Sequence, residues 1–422
     1  MKSAPASLET SAPRALGTRW HQLIAGLICM MAISSPQYVW TLFTGPLTAK
    51  YGASLAQIQV TFSLLIILQT FFSPVQGYLV DRFGIKQLIA TGCGLSGLSW
   101  ILASQASSLT ELYLSYGLVG GLGTGIVYVG IVGLMVRWFP DRRGLAAGAV
   151  AAGYGMGAMV TTFPISNALA SVGMETTLLI FGAALGLVGL LASQFLRQPP
   201  AEAAKADVPV NQSVVDIPPK QMLKTPLFWL MFIMFTMMST SGLMVTSQMA
   251  SFAKDFGMTQ VMVFGMGALP LALTIDRICN GLTRPLFGWI SDRWGRENTM
   301  ALAFCFEGIA MTLWLSTSAN PVLFVLLSGV VFLGWGEIFS LFPSTLTDTF
   351  GTRHATTNYG FLYMAQGIGS IFGGPVAALL HQYTESWMPV FAVAISFDLI
   401  TAALAFFVLK RLRASWLATH AL

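Results

Sequence analysis

Charged residues are scarce in this chain of 422 residues. Asp, Glu, Lys and Arg make up only 9% of it, whereas soluble domains carry about 25% of these residues. Hydrophobic residues account for 55% of the chain, and the mean hydropathy is +0.70. So little charge over such a length excludes a soluble globular protein and predicts a polytopic membrane protein.

Cysteine and histidine are also rare, with four residues of each type. The cysteines, Cys29, Cys93, Cys279 and Cys305, all fall in apolar segments and lack the spacing of a metal site or a disulfide framework. The sequence contains no Walker motif, no catalytic triad and no His/Cys metal cluster. These absences argue against an enzyme and predict neither a cofactor nor a metal.

The positive charges are distributed as the positive-inside rule requires of a membrane protein. If both termini are cytoplasmic, 18 of the 22 Lys and Arg residues face the cytoplasm, and only Lys50 and Lys254 face the other side. The remaining two, Arg277 and Arg284, lie at membrane depth. We therefore expect a multi-pass protein of the inner membrane with cytoplasmic termini, with the lipid bilayer as a partner and no nucleic acid.

Apolar stretches long enough to span a bilayer, about 20 residues, occur twelve times in the sequence. Their approximate limits are 20–47, 56–80, 87–106, 109–137, 144–171, 176–196, 226–253, 261–290, 298–317, 321–346, 356–383 and 387–409. The first stretch is too long for the core of a signal peptide and lacks a small-residue cleavage site. We interpret it as the first spanning helix.

The longest polar stretch divides these segments into two groups of six. It contains five prolines and predicts a flexible linker. The predicted order is a cytoplasmic tail (1–19), a six-helix bundle (20–196), a cytoplasmic linker (197–225), a second six-helix bundle (226–409) and a cytoplasmic tail (410–422). The predicted fold class is an all-α membrane protein with twelve transmembrane helices in two pseudo-symmetric bundles, and we expect a monomer.

A loop motif occurs once in each half. G-Y-L-V-D-R-F-G at Gly77–Gly84 recurs as G-W-I-S-D-R-W-G at Gly288–Gly295, an offset of 211 residues. Each copy joins the second helix of its half to the third. Two similar bundles fit a transporter that alternates access to a site at their interface. We expect the motif residues to tie helix ends together during gating: Gly77, Asp81, Arg82, Gly84, Gly288, Asp292, Arg293 and Gly295.

Two copies of G-x-x-x-D-R-x-G in a chain of six plus six segments resemble the major facilitator superfamily. A finer resemblance, to its oxalate/formate antiporter family of monocarboxylate-transporter relatives, covers most of the chain. The segments that carry it include S-P-Q-Y-V-W-T (35–41), R-W-F-P-D-R-R-G-L-A-A-G (137–148), N-G-L-T-R-P-L-F-G-W-I-S-D (280–292) and N-Y-G-F (358–361). The resemblance implies the major facilitator fold and a secondary transporter that exchanges small carboxylates.

Arginines at membrane depth are the strongest candidates for binding an anion. Inserting an ionised residue there costs about 2.5–3.5 kcal/mol on insertion scales, so such a residue is kept where it faces a bundle interior or a wet cavity. Arg277, Asn280 and Arg284 share one narrow face of the eighth helix. A guanidinium matches a carboxylate through two parallel hydrogen bonds. The resemblance implies that Arg284 binds the substrate carboxylate; the alternative is an ion pair with Glu337 or Glu307.

Gln366 departs from the family pattern. Oxalate exchangers of the family that the chain resembles carry a lysine at this position of the eleventh helix. A glutamine side chain donates a hydrogen bond to a carboxylate without neutralising it, which favours monoanions such as formate or lactate. The alternative is that Arg277 supplies the second positive charge, unless its acidic neighbour Asp276 neutralises it.

Aromatic and polar residues on other helices complete the predicted cavity. The positions that match family motifs are Gln37, Tyr38, Tyr128, Tyr154 and Trp335. Tyrosine hydroxyls and the indole N–H can donate to a carboxylate while the rings exclude water.

Four acids at membrane depth are candidates for coupling transport to a proton. They are Asp276, Glu307, Glu337 and Asp398. An acid buried in a membrane can carry a coupling proton, and Asp276 and Glu337 are the better candidates because they stand close in sequence to predicted cavity residues. Proton-coupled monocarboxylate uptake is therefore one alternative function. A sensor or scaffold with a transporter fold is a more remote one.

Overall fold

The computed structural model describes residues 12–200 and 215–420. Most of these residues are helical, because a segment in lipid satisfies its backbone N–H and C=O groups within its own helix. Residues 1–11, 201–214 and 421–422 lie outside the described residues. These include parts of both predicted tails and the middle of the predicted linker.

The first half of the chain contains ten α-helices. They are α1 (Ala12–Ala32), α2 (Ser35–Tyr38), α3 (Trp40–Tyr51), α4 (Leu55–Phe71), α5 (Ser73–Phe83), α6 (Ile85–Gln105), α7 (Leu109–Leu112), α8 (Gly120–Trp138), α9 (Arg143–Val172) and α10 (Met174–Ser193). A π-helical segment, Tyr113–Val119, joins α7 to α8.

The second half contains ten further α-helices. They are α11 (Pro219–Met222), α12 (Pro226–Asp255), α13 (Ala268–Trp294), α14 (Arg296–Ser316), α15 (Pro321–Leu333), α16 (Ile338–Phe350), α17 (Ala355–Ile371), α18 (Ala377–Thr384), α19 (Met388–Ala403) and α20 (Lys410–Thr419). A 3-10 turn (Met258–Gln260) and an antiparallel hairpin, β1 (Met262–Val263) with β2 (Met266–Gly267), precede α13. π-helical segments follow α17 (Phe372–Val376) and α19 (Leu404–Leu409).

Nine helices in the described part of the chain are long and apolar enough to cross a membrane. Two bent pairs raise the number to eleven: Arg19–Tyr38 with Trp40–Tyr51, at 42°, and Gln57–Phe71 with Ser73–Phe83, at 52°. α13 has 27 residues and is about 40 Å long at a rise of about 1.5 Å per residue. With α13, which carries the charges at membrane depth, these helices correspond to the twelve predicted segments.

Prolines and glycines interrupt three helices that the sequence predicted as continuous, 20–47, 56–80 and 321–346. Pro36 lies in the first turn of α2, after the break that separates α2 from α1, and Pro74 lies in the first turn of α5, after the second bend, because proline lacks the N–H that would continue the preceding ladder. α15 ends at Leu333 and α16 begins at Ile338, with Gly334 and Gly336 in the turn between them.

Helices extend into both predicted tails. α1 begins at Ala12, inside the predicted tail 1–19, and α20 continues to Thr419, inside the predicted tail 410–422. α20 is fixed by Arg413, whose Nη1 lies 2.7 Å from Glu297 Oε1 and whose Nε donates to Thr349 Oγ1 at 2.9 Å. The remaining domain limits and the cytoplasmic assignment of the tails and linker stay predictions.

Helices of the two halves approach each other closely at two related places. Gly148 on α9 packs on the backbone of Arg284 and Pro285 in α13, and Gly360 on α17 packs on that of Ser73 and Pro74 in α5. The Ser-Pro and Arg-Pro pairs are 211 residues apart, the offset of the repeated motif. The repeat therefore brings Arg284 to the interface between the halves.

Candidate functional site

A cavity of about 480 Å³ lies between the two halves. All nine residues that the sequence predicted to bind substrate line it: Gln37, Tyr38, Tyr128, Tyr154, Arg277, Asn280, Arg284, Trp335 and Gln366. Asp276 also lines the cavity, whereas Glu337 is fully buried and is not among the described residues of its wall. The structure thus brings the predicted set together, and the binding role of each member stays a prediction.

Arg284 is held by groups from both halves. Its Nη1 donates to the carbonyl oxygen of Ala151 on α9 at 2.6 Å, and its Nη2 donates to Asn280 Oδ1 at 2.7 Å. The guanidinium carbon lies 4.5 Å from the ring centroid of Phe339. The side chain is only 2% exposed, so the cation is both buried and oriented.

No acid among residues 12–200 and 215–420 forms an ion pair with Arg284. The alternative of a structural pair with Glu337 or Glu307 is therefore not formed in this conformation. Arg284 Nε, Asn280 Nδ2 and Tyr128 Oη are buried and make no hydrogen bond within the described chain. A buried cation with unused donors beside it favours an anionic ligand, because the ligand would neutralise it.

Arg277 lines the same cavity but is exposed. Its guanidinium carbon lies 5.8 Å from the ring centroid of Tyr38, and no described acid pairs with it. The neighbouring Asp276 is 3% exposed, and neither of its carboxyl oxygens has a hydrogen-bond partner in the described residues. The cavity therefore contains two arginines that lack a paired acid, and one unpaired acid.

Aromatic rings form another part of the cavity wall. Tyr128 stacks on Tyr363 with centroids 4.8 Å apart and meets Tyr154 edge-on at 5.1 Å. Tyr154 Oη donates to Gln37 Oε1 at 2.5 Å and accepts from Gln69 Nε2 at 3.1 Å. The Tyr154 hydroxyl, predicted to donate to a carboxylate, donates within the protein here.

The indole N–H of Trp335 also donates within the protein. Its indole Nε1 donates to the carbonyl oxygen of Met238 at 3.0 Å, so in this conformation the ring borders the cavity while its donor is occupied. Sequence reasoning also missed Gln69 and Tyr363, which line the cavity. Gln69 was detectable as an amide near the middle of the apolar stretch 56–80; Tyr363 stands among other tyrosines and gave no distinct signal.

Asp81 of the first loop motif connects the two halves. It forms an ion pair with Arg137 of α8, and its Oδ2 accepts from the backbone N–H of Thr357 at 2.9 Å and from the Thr357 hydroxyl at 2.6 Å. Thr357 lies in the first turn of α17, which belongs to the other half. A carboxylate is stabilised at a helix N-terminus by the unpaired N–H groups and the helix dipole.

Asp292 of the second motif makes the corresponding contact with α9. Its carboxylate accepts from the backbone N–H groups of Gly144 at 2.8 Å and Leu145 at 2.9 Å, and it pairs with Arg296 at 2.6 Å. The two motif acids therefore bind the first turns of helices in opposite halves. Both contacts lie at the end of the molecule where the repeated loops are found.

A buried ion network adjoins Asp292. Asp348 on α16 pairs with Arg143 of α9 at 2.5 Å and with Arg296 of α14 at 2.8 Å. All three residues are at most 6% exposed. Arg143 and Asp348 belong to different halves, so the network joins the halves at the same end as the motif acids.

The other motif residues have local roles. Gly84 and Gly295 end α5 and α13 at φ values of 97° and 94°, which glycine adopts without strain. Gly77 and Gly288 leave room for the backbones of α17 and α9. Arg82 and Arg293, predicted to tie helix ends together, instead contact aromatic residues of their own helices, the hydroxyl of Tyr78 and the ring of Trp289.

Comparisons with known proteins identify relatives of this chain. The oxalate:formate antiporter of Oxalobacter formigenes is 33% identical to this chain over 398 residues, which cover 94% of this chain and 93% of the relative. Monocarboxylate transporter 13 of Bos taurus is 26% identical, over 83% of this chain and 79% of the relative.

A solved structure of the proton:xylose symporter XylE has a TM-score of 0.74 to this chain. The match covers 95% of this chain and 99% of that chain at 13% identity, so it bears on the fold alone. The model of the Major Facilitator Superfamily matches residues 23–277 and 270–418. The chain is a multi-pass membrane protein that belongs to the major facilitator superfamily.

Proposed function

We propose that the chain is a secondary active transporter that exchanges small carboxylates of the oxalate and formate type by alternating access. The observation that carries the proposal is the buried guanidinium of Arg284, which is oriented by both halves and has no ion-pair partner in the described chain. The 33% identity to a protein named an oxalate:formate antiporter supports the same substrate class.

A carboxylate bound to Arg284 would sit between the halves, since Ala151 and Arg284 lie on opposite sides of the interface. The contacts of Asp81, Asp292 and Arg143 join the halves at the loop-motif end. Combined with the distribution of Lys and Arg, they support a conformation that is closed toward the cytoplasm. Transport would require these contacts to separate when the opposite end closes.

Two positive charges in one cavity support a dianion as one of the exchanged substrates. Arg277 and Arg284 both line the cavity, and Arg277 has no acid paired with it among the described residues. Arg277 would then supply the charge that Gln366 lacks. With Asp276 protonated, the cavity carries two formal positive charges; with Asp276 ionised, it carries one.

Asp276 favours a second candidate function, proton-coupled uptake of monocarboxylates. It is a buried carboxyl group in the cavity wall, next to Arg277, and without a hydrogen-bond partner in the described chain. A proton on Asp276 would balance the arrival of an anion. No observation favours a sensor or scaffold.

Several further properties belong to the same proposal. The chain acts as a carrier rather than an enzyme, resides in the inner membrane as a monomer and has both termini in the cytoplasm. The names of the two relatives, which are those of transporters, and the distribution of Lys and Arg support this assignment.

Competition for labelled formate uptake into proteoliposomes tests the substrate class. Oxalate, formate and lactate should compete, whereas oxamide, the neutral diamide with the shape of oxalate, should not, because it cannot neutralise Arg284. Equal competition by oxamide would overturn carboxylate recognition. Stimulation by internal formate favours exchange, and stimulation only by an inward pH gradient favours the proton-coupled alternative.

A further inference from the structure

Three carboxyl groups outside the cavity wall are buried together in the second half. Glu307 lies on α14, Glu337 in the turn between α15 and α16, and Asp398 on α19, and each is 0% exposed. Glu307 interacts electrostatically with both of the others. None of their six oxygens has a hydrogen-bond partner in the described chain. We call these three residues the carboxyl cluster.

Two glycines allow the cluster to form. A Cβ atom on Gly334 would lie 2.7 Å from Glu307 Cβ, and one on Gly308 would lie 3.3 Å from Asp398 Cβ. The turn at Gly334 therefore packs directly on α14, and α14 packs on α19. The interruption between α15 and α16 thus brings Glu337 and Glu307 into one region.

Two hydroxyl groups border the same region. Ser241 on α12 interacts with the Asp398 carboxyl, and Thr401 lies one helical turn after Asp398 on the same face. Both side chains are 0% exposed, and the hydroxyl oxygen of Thr401 has no hydrogen-bond partner in the described chain. Folded proteins leave few buried polar atoms unpaired, so the carboxyl oxygens and the Thr401 hydroxyl together indicate a ligand.

A proton is the ligand that suits this region. Three ionised carboxylates without a paired cation are too costly to bury together, and protonation removes the charge. Within residues 12–200 and 215–420, these acids are not grouped in a way that could hold a metal ion. Among the described residues, the charged groups that act on the cluster are its own acids and Arg284 on α13, which interacts electrostatically with Glu337.

The cluster is connected to the cavity through α13. Thr283 Oγ1 donates to the carbonyl oxygen of Leu333 at 2.5 Å, and Gly336 packs against Asn280. Thr283 immediately precedes Arg284 in α13, and Asn280 lies one turn before it. The turn that carries Glu337 is therefore bonded to the same stretch of α13 that holds the cavity cation.

We propose that the carboxyl cluster is a proton-binding site distinct from the cavity and that it takes up one proton from solvent when a carboxylate binds Arg284. The proposal rests on the proposed function. With Glu307 and Asp398 protonated, an ionised Glu337 is stabilised by its electrostatic interaction with Arg284, although the two form no ion pair. A bound carboxylate neutralises Arg284, so Glu337 loses this stabilisation and accepts a proton on a carboxylate oxygen. By thermodynamic linkage, that proton strengthens carboxylate binding to the same extent.

Proton uptake by the purified wild-type protein tests the proposal directly. Formate added to the protein in weakly buffered solution with a pH indicator should cause uptake of about one proton per bound formate. Binding of formate without proton uptake would overturn the proton site and leave the carrier function intact. Failure to bind or exchange any carboxylate would instead overturn the proposed function.

Amide variants locate the proton. Glu337→Gln and Asp398→Asn replace an acid with a neutral side chain of nearly the same shape, so both variants should retain exchange at equal pH. Both should lose formate-linked proton uptake, and the stimulation of uptake by a pH gradient should fall about five- to tenfold. Asp276→Asn should retain proton uptake. Loss in Asp276→Asn with retention in Glu337→Gln would place the proton in the cavity and refute the cluster. The exposed Glu385→Gln serves as the matched control.

Discussion

Arg284 is fixed before a substrate arrives, because its guanidinium already donates to a carbonyl oxygen of the other half and to Asn280. Preorganisation of this kind lowers the entropy that a ligand loses on binding. Geometry therefore matters as much as charge at this position. A lysine would keep the charge but would not reproduce the planar fork.

We expect Arg284→Lys to lower initial carboxylate uptake by about tenfold or more, since a hydrogen bond to a charged group contributes about 1.5–3 kcal/mol. Uptake is measured at matched membrane abundance. Arg411→Lys, an exposed position in α20, is the control and should transport normally. Uptake by Arg284→Lys close to that of the wild type would exclude Arg284 as the carboxylate ligand.

Charge at Arg277 and Gln366 should set the preference between a dianion and a monoanion. The interaction energy of two unit charges a few ångströms apart is on the order of 4 kcal/mol at an effective dielectric constant of ~20. If Arg277 is the second cation, Arg277→Gln weakens oxalate inhibition selectively and Gln366→Lys overcharges the site. If it is not, Gln366→Lys shifts preference from formate toward oxalate.

Inhibition constants for oxalate and formate in the wild type and both variants separate these cases. The expected result is that at least one substitution changes the oxalate-to-formate ratio by about tenfold or more, since 1.4 kcal/mol is a factor of ten. An unchanged ratio in both variants would show that charge in this cavity does not set specificity.

At the scale of elements, the two motif acids act on helix ends rather than on the cavity. Asp81 binds the first turn of α17, and Asp292 binds the first turn of α9. Each contact joins one half to the other at the loop-motif end. We infer that they stabilise one access state, so their loss should change the rate of interconversion more than the affinity for substrate.

We expect Asp81→Ala and Asp292→Ala to slow exchange by about tenfold while formate still stabilises the purified protein against heat, because a hydrogen bond to a charged group contributes about 1.5–3 kcal/mol. Thermal stabilisation and flux are compared in the same preparations. The exposed loop residue Asp141→Ala is the control. Loss of formate binding in proportion to flux would contradict a gating role.

Close packing of α5 on α17 gives a second prediction at this scale. Gly360→Ala would place a methyl group against the backbone of Ser73 and Pro74, whereas Gly45→Ala meets no atom within 4 Å. The first change should separate the halves and lower exchange by about tenfold, since overpacking costs about 1–3 kcal/mol. The second should have little effect. Similar exchange by both variants would show that this interface tolerates separation.

At the scale of the whole molecule, hydropathy and the repeated motif were sufficient to predict the fold, because lipid forces apolar segments into helices. The repeat also predicted a site between the halves, and Arg284 lies there. The sequence did not indicate the ion pair of Arg143 with Asp348 or the hydrogen bond of Tyr154 to Gln37. Such partners are distant in sequence and depend on how helices pack, which hydropathy does not encode.

The cavity, too, was predicted from the sequence only in part. Residues that share one face of α13 could be grouped from helical periodicity alone, and Arg277, Asn280 and Arg284 do line one cavity. Trp335 was predicted to donate into the cavity, but the turn at Gly334 and Gly336 directs its N–H to Met238. A helix interruption changes side-chain direction, and in the sequence only the two glycines indicate it.

Exchange in proteoliposomes is the most direct test of the central claim that the cavity at Arg284 carries carboxylates. Purified protein is reconstituted into vesicles loaded with formate, and entry of labelled oxalate is followed at equal pH on both sides. The account predicts that internal formate drives labelled oxalate in beyond its equilibrium level, and that Arg284→Lys abolishes this overshoot. Entry that is equal with and without internal formate, or unaffected by Arg284→Lys, would contradict it.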